Sequence, residues 1–148
     1  MKKENQSSKD TSHQLKDLEE YQDAIDSFFT EIITIVPNGS KWLLLSVNSY
    51  SDFANILDYK VACDHGDVEG LRPELCVEIT PESKDQIIKT FLSTSIHSDI
   101  IHQAITFEQR VIFLSYDALQ NNAVASTIVS GLKKLSDYEK FGLISEVL

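Results

Sequence analysis

The sequence predicts an α+β domain, a largely antiparallel sheet of about five strands packed with three helices. Three observations lead there. Apolar residues recur at steps of three and four over 15–36 and again from 124 onward. Short or alternating apolar runs fill the middle of the chain. Turn residues, and not helix-length spacers, separate most of those runs.

Residues 1–12 (MKKENQSSKDTS) have no apolar residue after Met1 and are expected to form a disordered polar tail, leaving 13–148 as one domain. Leu15, Leu18, Tyr21, Ile25, Phe28, Phe29, Ile32 and Val36 then make one broad stripe of a long helix. Asp17, Glu19, Glu20, Asp23 and Asp26 occupy its other faces, and Pro37-Asn38-Gly39 stops it. Lys41 to Tyr50 (KWLLLSVNSY) reads as a strand covered on both faces.

The stretch Phe53 to Cys63 fits a strand or the start of a short helix, and a strand is the preferred reading. His65-Gly66-Asp67 and Glu69-Gly70 are turn chemistry, and they lead into a strand at Leu75–Ile79. That arrangement would be a three-stranded meander. Thr80-Pro81-Glu82-Ser83 opens a helix, with Thr80 at the cap and Pro81 at the first helical position. Ile100–Phe107 and Val111–Tyr116 read as a hairpin across Glu108-Gln109, although the turn lacks Gly or Asn and a helix continuing to residue 107 competes. From Asn121 to Leu148 the spacing of Val124, Ile128, Leu132, Leu135, Tyr138, Phe141, Ile144 and Val147 predicts a last helix, which Gly131 and Gly142 would bend or break.

The net charge is −10, unevenly spread. Lys2, Lys3, Lys9 and Lys16 outweigh Glu4 and Asp10 in the first 16 residues, so the rest of the chain is more acidic still. Such a body repels phosphate backbones and anionic lipid, so neither nucleic acid nor membrane is an expected partner. The N-terminus lacks the apolar stretch of a secretory signal, and the longest apolar run, Trp42–Leu45, is far too short to span a membrane. A cytoplasmic location follows, with Cys63 and Cys76 reduced and acting as small buried hydrophobes.

Catalytic patterns are absent. His97 and His102 stand five apart, which puts them on different faces of either a helix or a strand. The two cysteines have no zinc-ligand spacing, and no Gly-rich phosphate loop, GxSxG elbow or HExxH occurs. Neither metal nor cofactor is expected, and the chain is not expected to be an enzyme. Were it one, the site would have to be assembled from Cys63, His65, His97, His102 and Asp117. Ser115-Tyr116-Asp117 reads as a turn after a strand, with Asp117 making an Asx-type bond.

Acid clustering is the feature with a functional lean. Between 52 and 82 eight acids face only Lys60 and Arg72. Asp52, Asp58, Asp64, Asp67, Glu69 and Glu74, with Tyr59 as an aromatic anchor, are the candidate partner-binding residues. The runs Ile100-Ile101-His102-Gln103-Ala104-Ile105 and Val111-Ile112-Phe113-Leu114-Ser115-Tyr116-Asp117 resemble the late hairpin and strand end of small bacterial immunity proteins, among them partners of contact-dependent growth-inhibition toxins. The resemblance implies an acidic single domain that binds one cognate toxin domain, often a basic nuclease, and blocks its active site. It carries over no binding residue by position. A secretion-type chaperone or adaptor is the alternative.

Overall fold

Periodicity and end signals define the first helix. In a computed structural model, which describes residues 2–51, 53–93, 99–115, 124–126, 131–141 and 143–144, α1 runs over Lys2–Ile35. Side chains are described from residue 18 on, apart from those of 124–126. The helix includes the stretch expected as a polar tail. No Gly or Pro interrupts residues 2–12, so the backbone continues the turns of the amphipathic segment. Among the described side chains, full burial begins at Ala24, whereas Leu18 is exposed.

Strand β1 (Lys41–Val47) follows the Pro37–Gly39 stop, and Trp42–Leu45 are buried on both faces as the apolar run predicts. The rest of the sheet comprises β2 (Lys60–Val61), β3 (Leu75–Glu78), β4 (Ile100–Phe107), β5 (Arg110–Ser115) and β6 (Val124–Ser126). Among the described residues the order is β2-β3-β1-β4-β5-β6, antiparallel throughout. With α1, α2 (Pro81–Ser93) and α3 (Leu135–Lys140) this is the α+β class read from the sequence.

Three elements differ from expectation. Most of 53–63 is turn, closing in a 3-10 helix at Leu57–Tyr59, and only Lys60–Val61 pair. The meander is rearranged, because β3 and not β2 lies beside β1. β3 buries Leu75, Cys76 and Val77, so it takes the interior place, and the short, Lys-bearing β2 is left at the edge. Of the expected helix over 121–148, Leu135–Lys140 is helical among the described residues, and Val124–Ser126 pair with β5 instead. A few apolar residues four apart do not distinguish helix from strand, and the backbone groups of β5 require a partner. At Gly131 an added Cβ would meet Ile35 Cδ1 at 3.2 Å, so the chain passes close to the end of α1 there.

The sheet has two differently covered faces. On one, Phe28, Phe29 and Ile32 of α1 and Ile87 and Phe91 of α2 pack on Trp42, Leu44, Val77, Ile105 and Phe113. The Trp42 indole N–H donates to Gln103 Oε1 at 2.8 Å, so its one polar group is satisfied in the core. On the other face Leu43, Leu45, Cys76, Ala104 and Leu114 pack with Val68 and Leu71 from the segment between β2 and β3. Helices close one side and a loop closes the other.

The start of α2 is a reciprocal cap. Ser83 N–H donates to Thr80 Oγ1 at 3.2 Å, and Thr80 N–H donates to Ser83 Oγ at 2.7 Å. Lys84 Nζ donates to the Val36 carbonyl at 2.7 Å and the Thr34 carbonyl at 3.1 Å, placing a cation on the free carbonyls of α1. Burial lowers the pKa of that amine.

The β4–β5 hairpin read from the sequence is present, and it closes without the glycine that its turn favours. Glu108 and Gln109 both take left-handed φ, at 53° and 69°, where Asn-Gly is the usual pair. Replacing Gln109 by glycine is therefore expected to raise stability by about 0.5–1 kcal/mol. A urea midpoint that shifts upward with unchanged slope checks it, and a downward shift refutes it.

Candidate functional site: an acidic loop across the second sheet face

The loop between β2 and β3 follows from its turn residues and two apolar ones. Val68 and Leu71 exchange backbone hydrogen bonds of 2.9 Å in both directions across Glu69 and Gly70. Those two have φ of 49° and 79°, the signature of a tight reversed turn. Val68 is buried and Leu71 half-buried against the second face, so the hairpin is plugged into the sheet from above. Asp67 and Glu69 on this hairpin are exposed.

Two further ties hold the segment that carries Asp64. Lys41 Nζ donates to Asp64 Oδ1 at 2.7 Å, joining the loop to the start of β1. That hydrogen bond holds the Asp64 carboxyl below its ordinary range. A carboxyl with a depressed folded-state pKa keeps its contribution above the ordinary carboxylate range and loses it as pH falls through the lowered value. The tie thus survives mild acid. The second tie overturns the expectation of two separate reduced thiols, because Cys63 and Cys76 form a disulfide with Cα atoms 5.4 Å apart. Cys63 is exposed, whereas Cys76 is buried in β3, so the bond joins the loop's surface to the sheet's interior. Fold-back of the loop brings together cysteines that a strand-by-strand reading leaves separate.

The remaining candidates lie in two other places. Glu74 Oε2 accepts from Val47 N–H at 3.0 Å, and Glu74 N–H donates to the Leu44 carbonyl at 2.8 Å, so this acid secures the end of β1. It stands near Tyr50, whose hydroxyl pKa is raised by burial and by the Glu74 charge. The Tyr50 ring meets Phe53 edge-on. Asp58 is exposed in the 3-10 helix, and Tyr59 beside it is half-buried against the helix-covered core, so it is framework more than a free anchor. Asp52 lies outside the described residues, as do His97, Tyr116 and Asp117. The structure thus gathers Asp64, Asp67 and Glu69 on one loop, and gives Glu74 a structural bond.

The other chemistry-bearing groups do not assemble with these. The Cys63 sulfur is bonded to Cys76, and His65 Nδ1 faces the Gly66 carbonyl at 2.9 Å, so the pair makes no thiol–imidazole contact. His102 is half-buried on β4 opposite Ser46. Among the described residues no three His, Cys, Asp or Glu side chains stand close enough to share a metal ion, and no helix is long and apolar enough to cross a membrane.

Sequence reasoning missed a second cluster, on the helical side. The Glu31 carboxylate accepts from Lys133 N–H at 2.6 Å, from Lys134 N–H at 3.4 Å and from the Tyr138 hydroxyl. Burial, and then the Glu31 carboxylate, push the Tyr138 pKa upward. An open groove of about 250 Å³ runs beside it between α1 and α3. Glu20, Asp23 and Asp137 line it together with Lys134 and Lys140, so it presents both signs of charge where the β2–β3 loop presents mainly one. No local signal could have shown this cluster, since Glu31 and Tyr138 lie 107 positions apart. No protein-family model, no curated protein and no solved structure matches the chain.

Proposed function

We propose that the chain is a protein-binding module of the immunity or antitoxin type. It captures a cognate toxin domain with a basic, nuclease-like surface and neutralises it, and it acts as a binder without catalysis of its own. The observation that carries this reading is that Asp64, Asp67 and Glu69 are exposed on a segment tied to the sheet by a disulfide, an ion pair and an apolar plug. Carboxylates fixed in place before encounter lose little freedom on binding and steer a cationic partner at long range. The resemblance to immunity proteins read from residues 100–105 and 111–117 of the sequence points the same way. An acidic body disfavours nucleic acid and anionic membrane as partners.

The test is association of Asp64→Asn, Asp67→Asn, Glu69→Gln with the product of a neighbouring toxin gene in the source genome. Loss of three steering charges should slow association about tenfold at low salt, with the unfolding midpoint lowered only by the small contribution of the Lys41–Asp64 pair. Association as fast as that of the parent, or insensitive to salt in both, removes the acidic loop as the contact surface.

A further inference from the structure

The loop that carries the acids is fastened by a bond that chemistry can open. We propose that Cys63–Cys76 is a redox latch on the acidic segment 62–67, closed as the disulfide and released by a dithiol reductant; its consequence for partner capture rests on the reading of the acidic loop given above. Cys63 offers the approachable end, since it is exposed while Cys76 is 1% exposed under the loop. A thiolate of the dithiol attacks Sγ of Cys63, forming a mixed disulfide and expelling Cys76 as a thiolate. The second thiol of the reductant, as its thiolate, displaces the Cys63 thiolate and closes the reductant's own disulfide. Two electrons pass to the protein, and the two protons of the dithiol end on Cys63 and Cys76.

The surroundings favour a dithiol over a monothiol such as glutathione. Cys76 packs with Leu43, Leu45, Ala104 and Leu114, and an apolar setting makes its thiolate a poor leaving group. Cys76 also stays anchored in β3 next to the mixed disulfide, so it can reverse the first step before a second monothiol arrives. An intramolecular second thiol outcompetes that reversal.

Opening affects a defined part of the loop. Val68 and Leu71 keep their apolar contacts, and Cys76 stays in its strand. Between β2 and Val68 the segment retains the Lys41–Asp64 pair, in which Asp64 is more than half exposed and which is a weak restraint, and the half-buried His65 beside it. β2 itself pairs through two residues only and lies at the sheet edge. Released, Asp64 and Asp67 lose their fixed geometry, and β2 frays with them.

Trypsin cleavage after Lys60, an exposed residue of β2, reads the latch without any partner. Oxidised full-length protein should be cut about tenfold more slowly than the same protein reduced with dithiothreitol, because cleavage follows the population of the opened segment. Cys63→Ser should be cut at the reduced rate with or without dithiothreitol, and amide exchange at Lys60–Val61 should follow the same pattern. Cleavage rates within twofold of each other in both redox states, or two free thiols titrated after oxidation, overturn the latch. The two readings fail separately. Redox-dependent cleavage with undiminished capture by the Asp64, Asp67 and Glu69 variant sinks the contact surface alone, and redox-independent cleavage with lost capture sinks the latch alone.

Discussion

Replacing Phe29 by alanine is expected to lower the unfolding free energy by about 3–5 kcal/mol, the range for removing a fully buried aromatic ring. Phe29 is the meeting point of three elements. Its ring stacks on Phe91 of α2 at 3.9 Å and 9°, and meets Trp42 of β1 edge-on at 5.8 Å. It is 0% exposed, so no solvent can fill the space left by truncation without wetting apolar walls. A domain of this size has roughly 5–15 kcal/mol in total, so the change removes a large share of it. Leu92, one residue after Phe91 but 54% exposed, is the internal control: its alanine variant should stay within about 0.5 kcal/mol of the parent. Urea unfolding followed by tryptophan fluorescence measures both. A Phe29 loss below about 1.5 kcal/mol would mean that α1 and α2 do not share this core.

The same three residues show how much of the fold the chain discloses. Phe29 belongs to a stripe with helical period that runs unbroken to Pro37, and Trp42 begins four consecutive buried residues, so helix and strand were both legible. Phe91 was legible because Thr80, Pro81 and Ser83 mark a helix start in the seven residues before the apolar face begins at Ile87. What could not be read was which strand lies beside which. Nothing in 53–63 says that β3 will displace β2 from β1, since the decision rests on relative burial of two segments after folding. Val124 failed for a related reason. Its helical spacing with Ile128 is genuine, but pairing with β5 satisfies more backbone groups than one isolated turn of helix would.

The candidate site divides along the same line. Gathering of Asp64, Asp67 and Glu69 is a local property, visible as acids among turn residues. Their restraint is not local: Lys41 reaches Asp64 from 23 positions away, and Glu74 reaches Val47 across 27. Tyr59 was named as an aromatic anchor, and it is half-buried against the helix-covered core, a contact made only once the chain has folded. Cys63 and Cys76 were misread through compartment, not geometry. A cytoplasmic expectation fixed them as thiols, while the turn chemistry between them already allowed the chain to double back.

Reducing that disulfide should lower stability by about 3 kcal/mol, and the effect should come mainly from the unfolded chain. The cysteines are 13 positions apart, and closing a loop of that length removes conformations from the denatured ensemble that the reduced chain regains. Two observables should therefore move together in urea. The midpoint falls on reduction, and the slope rises slightly, because an uncrosslinked denatured chain exposes more surface. Loss of a native contact alone would move the midpoint and leave the slope. The reduced chain should still fold, since a domain of 148 residues buries enough surface without a covalent staple. The disulfide lies on the loop-covered face and Phe29 on the helix-covered face, in separate apolar clusters, so the two losses should add to within about 0.5 kcal/mol. Marked non-additivity would mean that the two faces of the sheet communicate, and that opening the loop loosens the helical side as well.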